Sequence, residues 1–184
     1  MKVLVTAFGP FEGHPTNASS TVLDKLQHDQ SWIPKPTYDV AFEKLDVVYD
    51  STEEFIKQYW AEEEPYLTIH LGVHPGESVA VECQCNETVY TRPDVAGKVP
   101  AANIWPLKKS TLPLEEVVCL VGDECKLSRD AGTYLCQFVL HCSLTHGNGK
   151  SVFLHVPPVD TCPADRTVKT VRKIISEIFS SLTR

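Results

Sequence analysis

The chain has 184 residues, a formal net charge of −7 and a pI near 5.5. That length makes about one domain with a sizeable core, and that charge argues against nucleic acid as a main partner. The apolar start Val3-Leu4-Val5 is soon broken by Gly9-Pro10, too short for a signal peptide or a membrane span; a cytoplasmic chain is expected, with its seven cysteines reduced, and the odd count also speaks against a complete disulfide framework.

In chain order, Lys2 to Thr6 is an apolar, β-branched run that reads as a buried strand. Thr21 to Gln27 begins a helix with Ser19 or Ser20 as its N-cap. Asp39 to Val48 is strand-like, Thr52 to Glu63 helical, and Leu67 to Val73 a second core strand. Across Glu77 to Asn86, Val79, Val81 and Cys83 alternate with Ala80, Glu82 and Gln84, which predicts one more strand. Residues 91 to 113 are proline-rich and irregular, and Leu114 to Leu120 fits either a short helix or a short strand. A strand through Leu127 leads into a glycine turn at Gly132. Leu135, Phe138, Val139 and Cys142 then mark one helical face, with Gly147-Asn148-Gly149 as the stop. In Ser151 to Val156, Val152, Leu154 and Val156 share one face while Phe153 and His155 share the other, and Pro157-Pro158 ends the strand. A last helix, about Ala164 to Leu182, puts Val168, Val171, Ile175, Ile178 and Leu182 on one side. Alternating strands and helices imply an α/β fold, a three-layer domain spanning residues 1–184.

The chemistry concentrates at Cys136 and His155. Cys136 follows a glycine turn in the opening turn of a helix, and His155 comes 19 residues later near the C-terminal end of the next strand, where open α/β sheets carry their sites. A thiol is a strong nucleophile only as thiolate, and a helix N-terminus and a nearby imidazolium both favour that form. Turn, Cys, helix, strand, His is an order that brings the two side chains to one sheet edge. The plain alternative is a small buried cysteine and a structural histidine. Cys83-Gln84-Cys85 lacks a second cysteine pair or a nearby His pair, so no metal is expected; Gly72-Val73-His74-Pro75-Gly76 lacks the pattern of a phosphate loop, and no cofactor is expected.

The run Asp130-Ala131-Gly132-Thr133-Tyr134-Leu135-Cys136 resembles the cysteine motif of the type I pyroglutamyl peptidases, cysteine peptidases that remove N-terminal pyroglutamate. Phe153-Leu154-His155-Val156-Pro157-Pro158 is similar to their histidine motif. Val5-Thr6-Ala7-Phe8-Gly9-Pro10-Phe11 with Asn17-Ala18-Ser19 is similar to their N-terminal signature, and His70-Leu71-Gly72-Val73 followed by Glu82 completes the set in family order. The resemblance implies a mixed sheet flanked by helices, the phosphorylase/hydrolase-like architecture. It implies Cys136 as nucleophile, His155 as its base and Glu82 as the orienting carboxylate. Phe8 and Phe11 would pack against the lactam ring, Asn17 would be a polar contact, and Tyr134 and Leu135 would add a wall. The backbone N–H of Cys136 would belong to an oxyanion hole. The plain alternative for Phe8 and Phe11 is a core position, and for Asn17 a helix cap.

Two departures from the family pattern stand out. Ala7 occupies a position where the family usually has glycine, and the stretch from Gly72 to Glu82 is one residue short. A one-residue slip turns a strand side chain to the other face, so either that face borders the site, or a bulge or shorter turn absorbs the change, the latter being favoured; Asp94 is the substitute acid. The expected function is a cysteine omega-peptidase acting on pyroglutamyl peptides, with no nucleic acid or membrane partner. The alternative is a homologue that binds pyroglutamyl or other peptide N-termini without turnover.

Overall fold

A computed structural model of the chain describes residues 1–10, 16–101 and 104–183. Its main sheet has six strands: β1 (Lys2–Phe8), β2 (Asp39–Leu45), β3 (Leu67–Val73), β4 (Val79–Glu82), β7 (Cys125–Ser128) and β8 (Ser151–Val156), in the order β2-β1-β3-β8-β4-β7. β2, β1, β3 and β8 run parallel, whereas β4 is antiparallel to β8 and parallel to β7. The sheet is therefore mixed, as the resemblance implies. A small ribbon pairs β5 (Gln84–Cys85) with β6 (Lys108–Lys109).

The helices are α1 (Ala18–His28), α2 (Tyr49–Glu63), α3 (Leu114–Val121), α4 (Leu135–His146) and α5 (Ala164–Leu182). The alternation of side chains along the strands divides the core in two. Val3, Val5, Val79, Val81, Val152 and Leu154 face α1, α3 and α5. Leu4, Phe8 and Phe153 face α2 and α4. α5 is held by its apolar stripe, Val168, Val171, Ile174, Ile175, Ile178 and Phe179 all being buried; each such side chain contributes about 1.5–3 kcal/mol relative to exposure. α4 is buried on almost every side, from Gln137 to Leu144, so its hydrophobic spacing marks only part of its packed surface.

Two expectations change and two open choices are settled. Asn17, rather than Ser19 or Ser20, caps α1, its Oδ1 accepting from the backbone N–H of Ser19 at 3.0 Å. Residues 114–121 are helical. The irregular stretch 91–113 contains β6, and Trp105 forms a bridge with Thr88. The strand expected over Glu77 to Asn86 is divided at Cys83. β4 has a partner only as far as Glu82, paired with Phe153 on one side and Ser128 on the other; there β7 ends, and the chain leaves to pair with Lys108 and Lys109.

Candidate active site

Cys136 is the second residue of α4. The turn before it depends on Gly132, whose φ of 83° is strained for any residue with a Cβ. The Asp130 carboxylate accepts from the Gly132 N–H at 3.0 Å and fixes that turn. No side chain caps the helix at Tyr134, so the first-turn N–H groups, that of Cys136 included, have no intrahelical acceptor and point out of the helix end. The thiol lies down on the sheet because β3 offers glycine beneath it. A Cβ on Gly72 would lie 3.0 Å from Cys136 Sγ and 2.5 Å from the end of the Phe153 ring.

His155 stands on the same face of β8 as Phe153, their rings 4.6 Å apart. Its Nδ1 meets Glu82 Oε1 at 2.8 Å, with the two side chains only 5% and 2% exposed. Register explains the meeting. Ala80 pairs with His155 and Glu82 with Phe153, and directly paired residues project to the same side of a sheet. No bulge interrupts Val79–Glu82; the second face of the strand is the one that borders the site, and the irregular residues 74–78 make the connection from β3. Burial works against a charge on His155, but the neighbouring Cys136 thiol and Glu82 carboxylate outweigh it and push the imidazole up to about 9. Glu82 Oε2 is buried and has no hydrogen-bond partner among the described residues. His74 lies across the other side, its ring 5.2 Å from that of His155.

Asp94 is not at this site. Its carboxylate takes the backbone N–H groups of Tyr49, Ala96 and Lys98, each at 2.9 Å. Burial raises its pKa, but those N–H donors outweigh it and hold the carboxyl below its ordinary value. It anchors a loop, and Glu82 is the acid beside the imidazole.

A cavity of about 760 Å³ opens over Cys136 and His155. Phe8, Asn17, Tyr134 and Leu135 line it, together with His74, Arg92 and Asp160. Phe8 is 4% exposed and belongs to the core beneath α4 as well as to the cavity wall. Asn17 likewise does two things: it caps α1, and its Nδ2 donates to the Gly9 carbonyl at 3.2 Å at the edge of the cavity. Phe11 lies outside the described residues. Arg92 was missed by sequence reasoning; its guanidinium stacks 4.2 Å over the Tyr134 ring, and nothing in the local pattern of a proline-rich loop signals that placement.

The other cysteines sit in different surroundings. Burial pushes Cys85 and Cys125 to about 11 and raises Cys142 further still, whereas Cys136 is partly exposed on the cavity. Among the described residues, no cluster of three His, Cys, Asp or Glu side chains is arranged to hold a metal, and no helix is long and apolar enough to cross a membrane.

A thiol, an imidazole and a carboxylate in a row at a cavity floor, beside free helix N–H groups, form the set of groups a cysteine hydrolase uses. The chain belongs to the pyroglutamyl peptidase family, whose model matches residues 1–177. It is 28% identical to rat pyroglutamyl-peptidase 1 over 192 residues, covering 98% of this chain and 90% of that protein. It is 32% identical to the pyrrolidone-carboxylate peptidase of Pyrococcus furiosus over 174 residues, covering 85% and 81%. The structure of a mutant pyrrolidone carboxyl peptidase from that hyperthermophile superposes with a TM-score of 0.83 over 99% of this chain and all of that one, at 27% identity.

Proposed function

We propose that this protein is a cysteine omega-peptidase that removes pyroglutamate from peptide N-termini, with residues 1–184 working as one domain. Membership of the pyroglutamyl peptidase family supports the reaction. The observation that supports the residue roles is the position of His155, beside the Cys136 thiol and 2.8 Å from Glu82.

In the reaction, Cys136 and His155 act as thiolate and imidazolium. The thiolate adds to the carbonyl carbon joining pyroglutamate to the next residue. The oxyanion that forms takes hydrogen bonds from the free N–H groups at the start of α4. As the C–N bond breaks, His155 gives its proton to the leaving amine, and a thioester remains on Cys136. Water then attacks the thioester, His155 takes its proton, and the S–C bond breaks to release pyroglutamate and restore the pair. Glu82 holds the imidazole in one tautomer by accepting from Nδ1–H and stabilises the imidazolium.

The pyroglutamyl ring rests against Phe8, beside Asn17, Tyr134 and Leu135. Its lactam needs hydrogen-bond partners, and a site built to bond a group rejects analogues lacking it strongly. The test is hydrolysis of pyroglutamyl-aminomethylcoumarin against prolyl-aminomethylcoumarin, with and without iodoacetamide. Thiol-sensitive cleavage of the first and little of the second is expected. Comparable kcat/KM for the two, or activity that survives full alkylation of Cys136, overturns the proposal.

A further inference from the structure

Gln137, next in sequence to Cys136, is fully buried in the first turn of α4. Both ends of its carboxamide are used. Oε1 accepts from the backbone N–H of Asn86 at 2.9 Å, and Nε2 donates to the Thr88 hydroxyl. Thr88 Oγ1 donates in turn to the Asn86 carbonyl at 3.0 Å. The Asn86 side chain reaches back to the other flank of the cysteine turn, its Nδ2 donating to the Arg129 carbonyl at 3.0 Å.

Asn86 is four residues beyond Glu82 in a short extended path through β5. That path is fastened at its start as well, where the Cys83 N–H donates to the Ser128 carbonyl at 3.0 Å. Cys136 and Glu82 are thus joined twice: once through His155, and once through Gln137, Asn86 and β5. The contacts form a closed ring of which the imidazole is one member. Aromatic packing stiffens the outer side, since Trp105, bonded both ways to Thr88 at 2.9 Å, lies 4.9 Å from Phe138, the residue after Gln137.

Buried networks with every member satisfied fix one geometry, and a site of this kind needs its reacting groups held within a fraction of an ångström. A core helix position asks only for an apolar side chain of similar length; a buried carboxamide with both ends committed does more than fill space. We infer that Gln137 is a positioning residue, which sets the separation of the Cys136 thiol from the His155–Glu82 pair by tying the nucleophile's helix to the segment that carries the acid. The inference rests on the proposed role of Cys136.

The test uses the full chain with Gln137→Leu, Thr88→Val and Thr88→Ser, with Cys136→Ala as reference. Measured are kcat and KM on the coumarin substrate, the rate of Cys136 carbamidomethylation by iodoacetamide followed by mass spectrometry, and the near-ultraviolet circular dichroism. Displacements of about an ångström cost on the order of 100-fold, so Gln137→Leu should lose roughly 10- to 100-fold in kcat, with KM unchanged and alkylation of Cys136 slowed. Thr88→Val should do the same to a smaller degree, and Thr88→Ser should restore kcat. Natively folded Gln137→Leu or Thr88→Val with kcat and alkylation as in the parent overturns the inference, as does a loss confined to KM. If Gln137→Leu does not fold, the two Thr88 variants decide the matter. Activity surviving in Cys136→Ala would instead overturn the proposed nucleophile.

Discussion

Glu82→Gln removes one charge at the centre of the site while keeping its shape. In the folded chain His155 rises to about 9 against its ordinary 6.5, burial being outweighed by Cys136 and Glu82 together. That rise is a preference for the imidazolium, made by the thiol and the carboxylate against the cost of burial. Without the carboxylate, burial opposes the charge with only Cys136 against it, so the ion pair loses a large part of this preference. The amide also has an N–H₂ that can face Nδ1 and select the wrong tautomer, an error that costs about 10⁴-fold in the serine triad. A loss of roughly 10²- to 10⁴-fold in kcat is therefore expected, or about 2.7–5.5 kcal/mol. Some stability should go with it, since removing one charge of a buried pair is destabilising, but the amide keeps the shape of the side chain and the fold should stay intact. The assay is kcat on the coumarin substrate across pH 5–10, beside a thermal melt. An activity within threefold of the parent, or a collapse of the fold, would refute the reasoning.

Cys136→Ala should abolish turnover with the fold intact, and Cys142→Ala should leave turnover but lower stability by about 1–2 kcal/mol through the lost buried sulfur; burst and steady-state kinetics with thermal melts check both. Gly72→Ala should cut kcat at least tenfold, since the added methyl would stand 2.5 Å from the Phe153 ring and 3.0 Å from Cys136 Sγ, and unchanged kinetics would show that the thiol does not rest there. Burial lowers His70 to about 3 and His141 to about 4. The unfolded chain therefore takes up protons below about 6.5 that the fold refuses, and the stability these two neutral histidines contribute is full above that pH and lost as it falls. Urea melts should lose about 1.4 kcal/mol per pH unit for each histidine between pH 6 and 4; a flat profile there would contradict it.

The layers of the fold were legible because their signal is local. Val152, Leu154 and Val156 against Phe153 and His155 divides β8 between two cores, and the stripe on α5 is as plain. Element ends were harder to read. Asn17 competes with Ser19 and Ser20 for the cap of α1, and only the geometry of the turn decides which side chain meets the Ser19 N–H. β4 and β5 alternate without a break in sequence, yet they belong to different sheets, because β7 ends at Ser128, whose carbonyl takes the Cys83 N–H, and the chain beyond pairs with Lys108 and Lys109. Partners distant in sequence leave no periodic trace. The stacking of Arg92 on Tyr134, the tie of Asp94 to Tyr49, and the double use of Gln137 all depend on how the segment between β5 and β6 lies over α2 and α4.

The position of Glu82 is set by the opposite face of its own strand. Side chains alternate along a strand, so a slip by one inside Val79–Glu82 would put Val81 beside the imidazole and turn Glu82 into the core beneath α3 and α5. The connection from β3 runs through the irregular residues 74–78, before the strand begins, where its length can differ without such a slip. The His74 N–H donates to the Val156 carbonyl of β8 at 3.1 Å, and residues 75–78 carry no strand register, so the turn to Val79 can vary in length. From Val79 onward three constraints fix the parity together. Val79 and Val81 must enter the apolar layer with Val152 and Leu154, Ala80 must lie opposite His155, and Glu82 must lie opposite Phe153. A polar residue at 79 or 81 would break the first, and a large one at 80 would displace the imidazole. The acid is therefore held at His155 by hydrophobic burial on the opposite face of its own strand, which is why its place survives a change in the length of the turn that leads to it.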